Sequence, residues 1–361
     1  MLKYANPQAV PTQRTKNTAK KPSSSSSFDG QLELSNGEWS KHSEMGLKRG
    51  GLINSIRRRI ARNGNIGRFN ELIDSEAKKW PSEPVDKNIH MIWIGTRNIS
   101  EKNIKLSIDT AKKNPDYNTS IIYDSGISGH EGARNFMLEK FEGSNVNIID
   151  FRKKSYFPQL KQEPSFVYYE QAIAEKKYAQ ASDILRLLVL KFEGGIYKDI
   201  DDIQVKGFGS LAFPKGIGVM REYAPEAGKA TAFPNTPIAV TKNNPIINKT
   251  LDLAVGNYQR GEKNVLKLAG PDVFTQALYQ EIPGLNSKVL NAQLDQFELA
   301  KRQALGLPLE KPKSFADEKL TSVEKEKINR PYQSMRGLSG HVMNGADHSW
   351  AVDTEVLGHQ Q

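Results

Sequence analysis

The stretch from Ser182 to Asp202, SDILRLLVLKFEGGIYKDIDD, constrains the fold more than any other. Ile184, Leu185, Leu187, Leu188, Val189, Leu190 and Phe192 make a helix that must be buried on almost every side. Asp183 and Arg186 interrupt it near its start and, three residues apart, share one helical face. Gly194 and Gly195 stop the helix, because glycine accepts the left-handed cap that other residues resist. Ile196 to Ile200 then reads as a short buried strand ending in Asp199, Asp201 and Asp202. Strand alternation would put Asp199 and Asp201 on one face and Asp202 on the other. Two carboxylates at the exit of a buried strand attract a hard cation, which prefers oxygen ligands. A lone D-x-D is more often the start of a solvated loop. Here the buried charges, the glycine stop, the strand and its terminal acids coincide, and that context favours a site.

The flanking sequence supplies a sheet for this strand. Asn88 to Ile94 is an apolar first strand ending at Gly95, and Ile104 to Lys113 is an amphipathic helix with a Pro115-Asp116 turn after it. Ser120 to Tyr123 and Val146 to Ile149 read as further strands, so the spacing predicts a parallel α/β sheet. Ligands in such sheets sit beyond the carboxyl ends of the strands, which places Trp93 to Gly95 and Asp199 to Asp201 at one rim. Ser165 to Lys177 predicts a helix bringing Tyr168, Tyr169 and Glu170 toward an acceptor side. Gly270-Pro271 turns into a helix over Asp272 to Gln280. Helix signals are thin from Leu285 to Ile328, and Glu310 to Lys327 is charged and peripheral.

The N-terminal part differs in character. Residues 1–43 are polar, with a serine run over Ser23 to Ser27, and are expected to be disordered because they bury too little to offset chain entropy. Residues 44–84 read as a basic helical extension, with Gly64 and Gly67 breaking it before a second helix, Arg68 to Lys79. Leu52, Ile53, Ile56 and Ile60 lie opposite Arg57, Arg58 and Arg59, a pattern suited to an anionic membrane or to packing on the main domain. Residues 85–361 form that main domain. Residues 1–85 hold 15 Lys/Arg against 8 Asp/Glu, so they carry +7 of the net +10. The main domain is therefore not a nucleic-acid surface. The chain has no cysteine, which excludes disulfides and thiolate metal sites and suits a reducing cytosol. The N-terminus lacks the apolar core of a secretory signal, and no run is long enough to span a membrane.

S-D-I-L-R followed by G-G-I-Y-K-D-I-D-D resembles the sugar-nucleotide site of GT-A glycosyltransferases with a D-x-D motif. It is most similar to the glycosylating domains of large bacterial toxins: the clostridial glucosylating toxins and, in the D-x-D-D form, a Photorhabdus type that glycosylates a tyrosine of Rho GTPases. The resemblance runs in patches from about Ile89 to Trp350. It implies a GT-A fold, Rossmann-like with a mostly parallel sheet flanked by helices. It also implies a retaining, metal-dependent transfer of GlcNAc or glucose from a UDP-sugar. The implied acceptor is a host protein hydroxyl, of the Rho/Ras GTPase class, reached by a secreted effector in the host cytosol. By resemblance Trp93 stacks on uracil, although as a tryptophan it could equally be core. Asp183 and Arg186 hold sugar hydroxyls, Asp199 lies near ribose and sugar, and Ser182, Tyr197 and Asn235 line the substrate. Thr236 to Ile247 looks like a strand crossing beneath the sugar pocket. Asp201 is the implied ligand of Mn²⁺ or Mg²⁺, joined by Asp347 and Ser349 from the C-terminal tail, while Trp350 meets the glycosidic oxygen. Lys198 departs from the aliphatic or small residue usual at its position. His341 and His348 make only a weak zinc site without cysteine. Two other readings stay open: a glycan- or lipid-directed transferase of the same fold, and a basic binding protein.

Overall fold

The computed structural model describes residues 51–223, 231–307, 309 and 319–345, with side chains from residue 58 onward. A long helix α1 (Gly51–Ala77) leads to a short strand β1 (Ser82–Pro84). Next come β2 (Asn88–Ile92), α2 (Glu101–Lys113), β3 (Asn118–Tyr123), α3 (Glu131–Lys140) and β4 (Val146–Asp150). Helices α4 (Phe157–Leu160), α5 (Phe166–Ala174) and α6 (Tyr178–Glu193) precede β5 (Gly195–Tyr197). Four short strands follow: β6 (Ile203–Gln204), β7 (Ala212–Pro214), β8 (Ile217–Gly218) and β9 (Ile238–Val240). The chain then runs through α7 (Pro245–Gln259), α8 (Val265–Leu268), α9 (Pro271–Glu281), α10 (Ser287–Leu305) and α11 (Ser322–Met335) to β10 (Val342–Met343).

Six strands form the central sheet in the order β4-β3-β2-β5-β9-β8. β2 pairs in parallel with β3 and β5, and β3 with β4, whereas β9 runs antiparallel to β5 and β8. Alternation sorts the apolar residues between two layers. Ile92 and Ile122 pack with Leu185, Leu188 and Val189 of α6, while Met91 and Ile121 pack with Ile104 and Ala111 of α2. The chain lays down β2, β3 and β4 outward in one direction and then returns to the other side of β2 for β5. That reversal opens a crevice between the carboxyl ends of β2 and β5, where open α/β sheets place their ligands.

Three expectations need correction. The strand after Gly195 ends at Tyr197 rather than Ile200. The Asp199 N–H, which a longer strand would use in the ladder, donates instead to Thr236 Oγ1 at 2.8 Å and Asp202 Oδ2 at 3.2 Å. Asp199 to Asp202 is therefore a turn, and face alternation does not govern its acids. Second, α1 continues through Gly64 and Gly67. A β carbon at either glycine would meet nothing within 4 Å, so neither marks a close approach. Each costs about 1 kcal/mol relative to alanine. Burial of Phe69 and Ile73 against Phe297, Ala300 and Ile328 gives back about 1.5–3 kcal/mol per side chain, which outweighs that cost. Third, the region read as poor in helix contains α10, 19 residues long. The Asn286 side chain caps its start by accepting from Lys288 N–H, and Gly306 closes it at φ 68°.

Candidate active site

Tyr197, the last residue of β5, directs its ring toward α6, where the Arg186 guanidinium lies 4.5 Å from its centroid. Arg186 is 6 % exposed and gathers the site around itself. Its Nη2 reaches Asp183 Oδ1 at 2.8 Å and its Nη1 reaches Asp199 Oδ1 at 3.4 Å. Nη1 also donates to the Asn235 carbonyl at 3.1 Å, and Nε to the Ser182 carbonyl at 3.5 Å. Asn235 Nδ2 donates to Asp183 Oδ1 at 3.0 Å, and Tyr197 OH to Asp199 Oδ1 at 2.5 Å. Ser182, Asp183, Arg186, Tyr197, Asp199 and Asn235, expected at the substrate from sequence, thus share one hydrogen-bonded network.

Charge is unbalanced here. Burial pushes the Asp183 carboxyl up to about 6, with Arg186 pulling against it and Asp199 adding to it. Burial likewise pushes Asp202 up to about 6, reinforced by Asp199. Asp202 is engaged through both oxygens: Oδ2 accepts from Thr236 Oγ1 at 2.7 Å and from the Asp199 N–H, and Oδ1 accepts from Gly345 N–H at 3.0 Å. These bonds make it a residue that shapes the turn. Asp199 and Asp201 are only partly buried. Their hard oxygens fit Mn²⁺ or Mg²⁺, and they supply part of a coordination shell. Among the described residues no group of three or more His, Cys, Asp and Glu could hold a metal.

The last described residues return to the acid turn. Gly345 lies so close to the Asp201 backbone and carboxylate that a β carbon there would collide with them. Asp347, His348, Ser349 and Trp350 lie outside the described residues. His341 Nδ1 donates to the Gly207 carbonyl, 3.0 Å away, and the ring stacks on Phe208 at 5.6 Å.

At the β2 exit, Trp93 is partly buried against the cluster of Met91 and Ile121, and its indole N–H donates to the Arg97 carbonyl at 2.9 Å. Gly95, at φ 115°, brings its backbone against the Tyr178 ring at the start of α6. At the exits of β3 and β4, buried Asp124 accepts from Arg152 and from Tyr169 OH, the latter at 2.7 Å. Tyr169 is fully buried, so it belongs to the core and not to an acceptor surface. Tyr168 stacks on Tyr258 at 4.4 Å, and Glu170 stays exposed.

Sequence reasoning missed Asp202, Thr236 and Lys198 as parts of the site. Lys198 is wholly buried, its ammonium 2.8 Å from the Asp202 carbonyl and 3.3 Å from Thr110 Oγ1. Burial draws it down to about 8 against the upward pull of Asp202, Asp199, Asp201 and Asp109. The only signal was its unusual place before the first acid.

Residues 100–215 match the glycosyltransferase sugar-binding region containing the DXD motif. A solved structure, the PaToxG glycosyltransferase, superposes with a TM-score of 0.75 at 83% identity, covering 80% of this chain and 100% of that one. The chain belongs to the DXD glycosyltransferases of bacterial toxins. Its curated relatives agree. It is 86% identical over 321 residues to a toxin of Photorhabdus asymbiotica, covering 89% of this chain and 11% of the toxin. It is 73% identical over 320 residues to toxin Afp18 of Yersinia ruckeri, covering 88% of this chain and 15% of that toxin. The chain therefore spans a small part of the toxins it matches. Among the described residues, no helix is long and apolar enough to cross a membrane.

Proposed function

We propose that this glycosyltransferase moves GlcNAc or glucose, with retention, from a UDP-sugar to a hydroxyl of a host protein, a Rho/Ras-type GTPase, as the catalytic part of a secreted toxin acting in the host cytosol. The observation that carries this reading is the Arg186 network: one guanidinium ties Asp183, Asp199 and Asn235 together beside the acid turn at the sheet's carboxyl edge. Asp183 and Asn235 present fixed acceptor and donor groups to sugar hydroxyls, and orientation is the main service of such groups. Tyr197 and Arg186 hold Asp199 in place. Trp93 offers a flat ring edge-anchored at Arg97, suited to a nucleobase. Asp201, with Asp347 and Ser349, would hold Mn²⁺ or Mg²⁺, which when bound neutralises charge on a diphosphate leaving group. Trp350 would donate its indole N–H to the departing oxygen. The exposed basic turns of α1 at Arg58, Arg59 and Arg62 support a contact with an anionic membrane.

The test is release of UDP from a panel of UDP-sugars, with transfer of labelled sugar to proteins of a host-cell lysate. The double variant Asp199→Asn with Asp201→Asn should lose both activities while keeping the wild-type fold. Normal turnover in that variant, or wild-type activity in excess EDTA, would overturn the metal-assisted mechanism. Label on saccharide or lipid instead of protein would overturn the acceptor class.

A further inference from the structure

The acid turn is bracketed by two buried cations on opposite faces of the sheet. Tyr197 and Lys198 are consecutive at the end of β5, so their side chains point to opposite faces. On the α6 face Arg186 covers Tyr197 and pairs with Asp199. On the α2 face Lys198 enters the layer of Thr110 and Ala111 with no exposed surface. Lysine is rarely buried so completely without a purpose or a partner.

The partners of Lys198 are informative. Thr110 spends its own proton on the Leu106 carbonyl at 2.8 Å, so its oxygen accepts from the ammonium. The second acceptor is the backbone carbonyl of Asp202, four residues on. That bond closes the loop from 198 to 202 from beneath. It works with the Asp202 N–H donating to the Asp199 carbonyl at 3.2 Å and the Asp202 carboxylate accepting from the Asp199 N–H. Three carboxylates within four residues would otherwise repel one another in a half-dry pocket.

We propose that Lys198 is a resident cation for the acid turn: it holds the turn in its ligand-ready shape before any divalent ion arrives, and in doing so weakens the binding of that ion. This rests on the metal site of the function proposed above. Lys198 is a positioning residue, since its nitrogen faces the back of the turn and not the crevice. Two effects of removing its charge favour the ion; losing the bond to the Asp202 carbonyl opposes it, which is why a variant that keeps a donor there isolates the charge. A unit positive charge near a divalent cation opposes it, more strongly when buried than in water. The carboxylates, left without their internal cation, also gain more from an external one.

The experiment is calorimetric titration of the full chain with Mn²⁺, without sugar donor, beside thermal melting in EDTA and in Mn²⁺. Lys198→Gln keeps an N–H donor for the Asp202 carbonyl and removes the charge; Lys198→Met removes both. Lys198→Gln should bind Mn²⁺ roughly tenfold or more tightly than wild type, with Mn²⁺ raising its melting temperature more than that of wild type, and Lys198→Met should gain less because it also loses the bond that closes the turn. Equal or weaker Mn²⁺ binding by Lys198→Gln would overturn the proposal and leave the metal site standing. Lys198→Arg keeps the charge and should bind Mn²⁺ no more tightly than wild type, and tighter binding by that variant would also overturn the proposal. If no protein binds Mn²⁺ and turnover persists in EDTA, the metal reading itself falls and the proposal falls with it.

Discussion

The two ends of α6 are both polar, both partly buried, and opposite in electrostatic design. At the C-terminal end, Lys191 pairs with Glu163 at 2.7 Å, and Glu193 pairs with Lys154 at 3.0 Å while accepting from Tyr156 OH. Each carboxylate has its cation. Burial pushes Glu193 up, but His90, Tyr156 and Lys154 together outweigh it and hold the carboxyl below its ordinary value. At the N-terminal end Asp183, Asp199, Asp201 and Asp202 gather beside Arg186 and Lys198, and burial, reinforced by Asp199, pushes Asp183 and Asp202 upward. A fold gains nothing from stacking uncompensated carboxylates in a crevice. Such a surplus is what a site for cations and hydroxyls requires, and strongly perturbed groups tend to cluster at functional sites.

If that contrast is right, removing the central cation at the unbalanced end should do most damage. Arg186→Met would strand Asp183 and Asp199 beside a buried ring. Breaking a buried pair in this way costs about 3–5 kcal/mol. Urea unfolding should show a loss of that size, and release of UDP from donor should be undetectable. A stability loss within about 1 kcal/mol, or retained turnover, would show that the network is not held together by this guanidinium.

Much of this contrast was legible in the sequence, but only where it is local. The helix, the glycine stop and the Asp183–Arg186 pair are written within 21 residues, and all three were found. The partners that complete the site come from far along the chain: Thr236 meets Asp202 across 34 residues, and Asn235 meets Asp183 across 52. No periodicity encodes such meetings. Lys198 was missed for a different reason. The sequence marks it only as a departure from the residue usual there, and the position of α2 shows that it points into the protein. The helix α10 was legible and overlooked. Leu290, Leu294, Phe297, Ala300 and Ala304 recur at helical spacing and face α1, yet small alanines weaken the stripe. The strand end was misjudged because side-chain oxygens of Asp202 and Thr236 captured an N–H that the ladder would have used.

The pH dependence should separate the two ends with opposite signs. Asp183 rises from an ordinary 3.8 to about 6 in the folded protein. The native state therefore binds that proton more tightly than the unfolded chain does. Its favourable contribution is full below about pH 4 and is lost as pH rises through about 6, an effect of roughly 3 kcal/mol. Asp183→Asn should remove this slope, so the variant gains stability relative to wild type between pH 4 and 6 while losing turnover. Glu193 runs the other way: its carboxyl is lowered, so its contribution is present above its ordinary value of 4.5 and is lost as pH falls through its folded one. Unfolding free energies of wild type and Asp183→Asn at pH 4, 5, 6 and 7 provide the check. Parallel curves would show that Asp183 carries no buried penalty.

The smallest effect is expected at the balanced end. Lys191→Met removes a charge but keeps the aliphatic stem that packs along α6. Its partner Glu163 retains 19 % of its side chain in solvent and can hydrate when the ammonium is gone. Partly exposed pairs of this kind contribute about 0–1 kcal/mol. The Lys191 carbonyl, which accepts from Asn243 N–H at 2.8 Å, is untouched by the substitution. Turnover should match wild type, because Lys191 and Glu163 bond to each other at the far end of the helix from Arg186. Unfolding and donor hydrolysis measured beside Arg186→Met place both substitutions on one scale. A loss near 3 kcal/mol for Lys191→Met would mean that the two ends of the helix are equally dependent on their cations. The surplus of acid at the other end would then no longer distinguish the site from the scaffold.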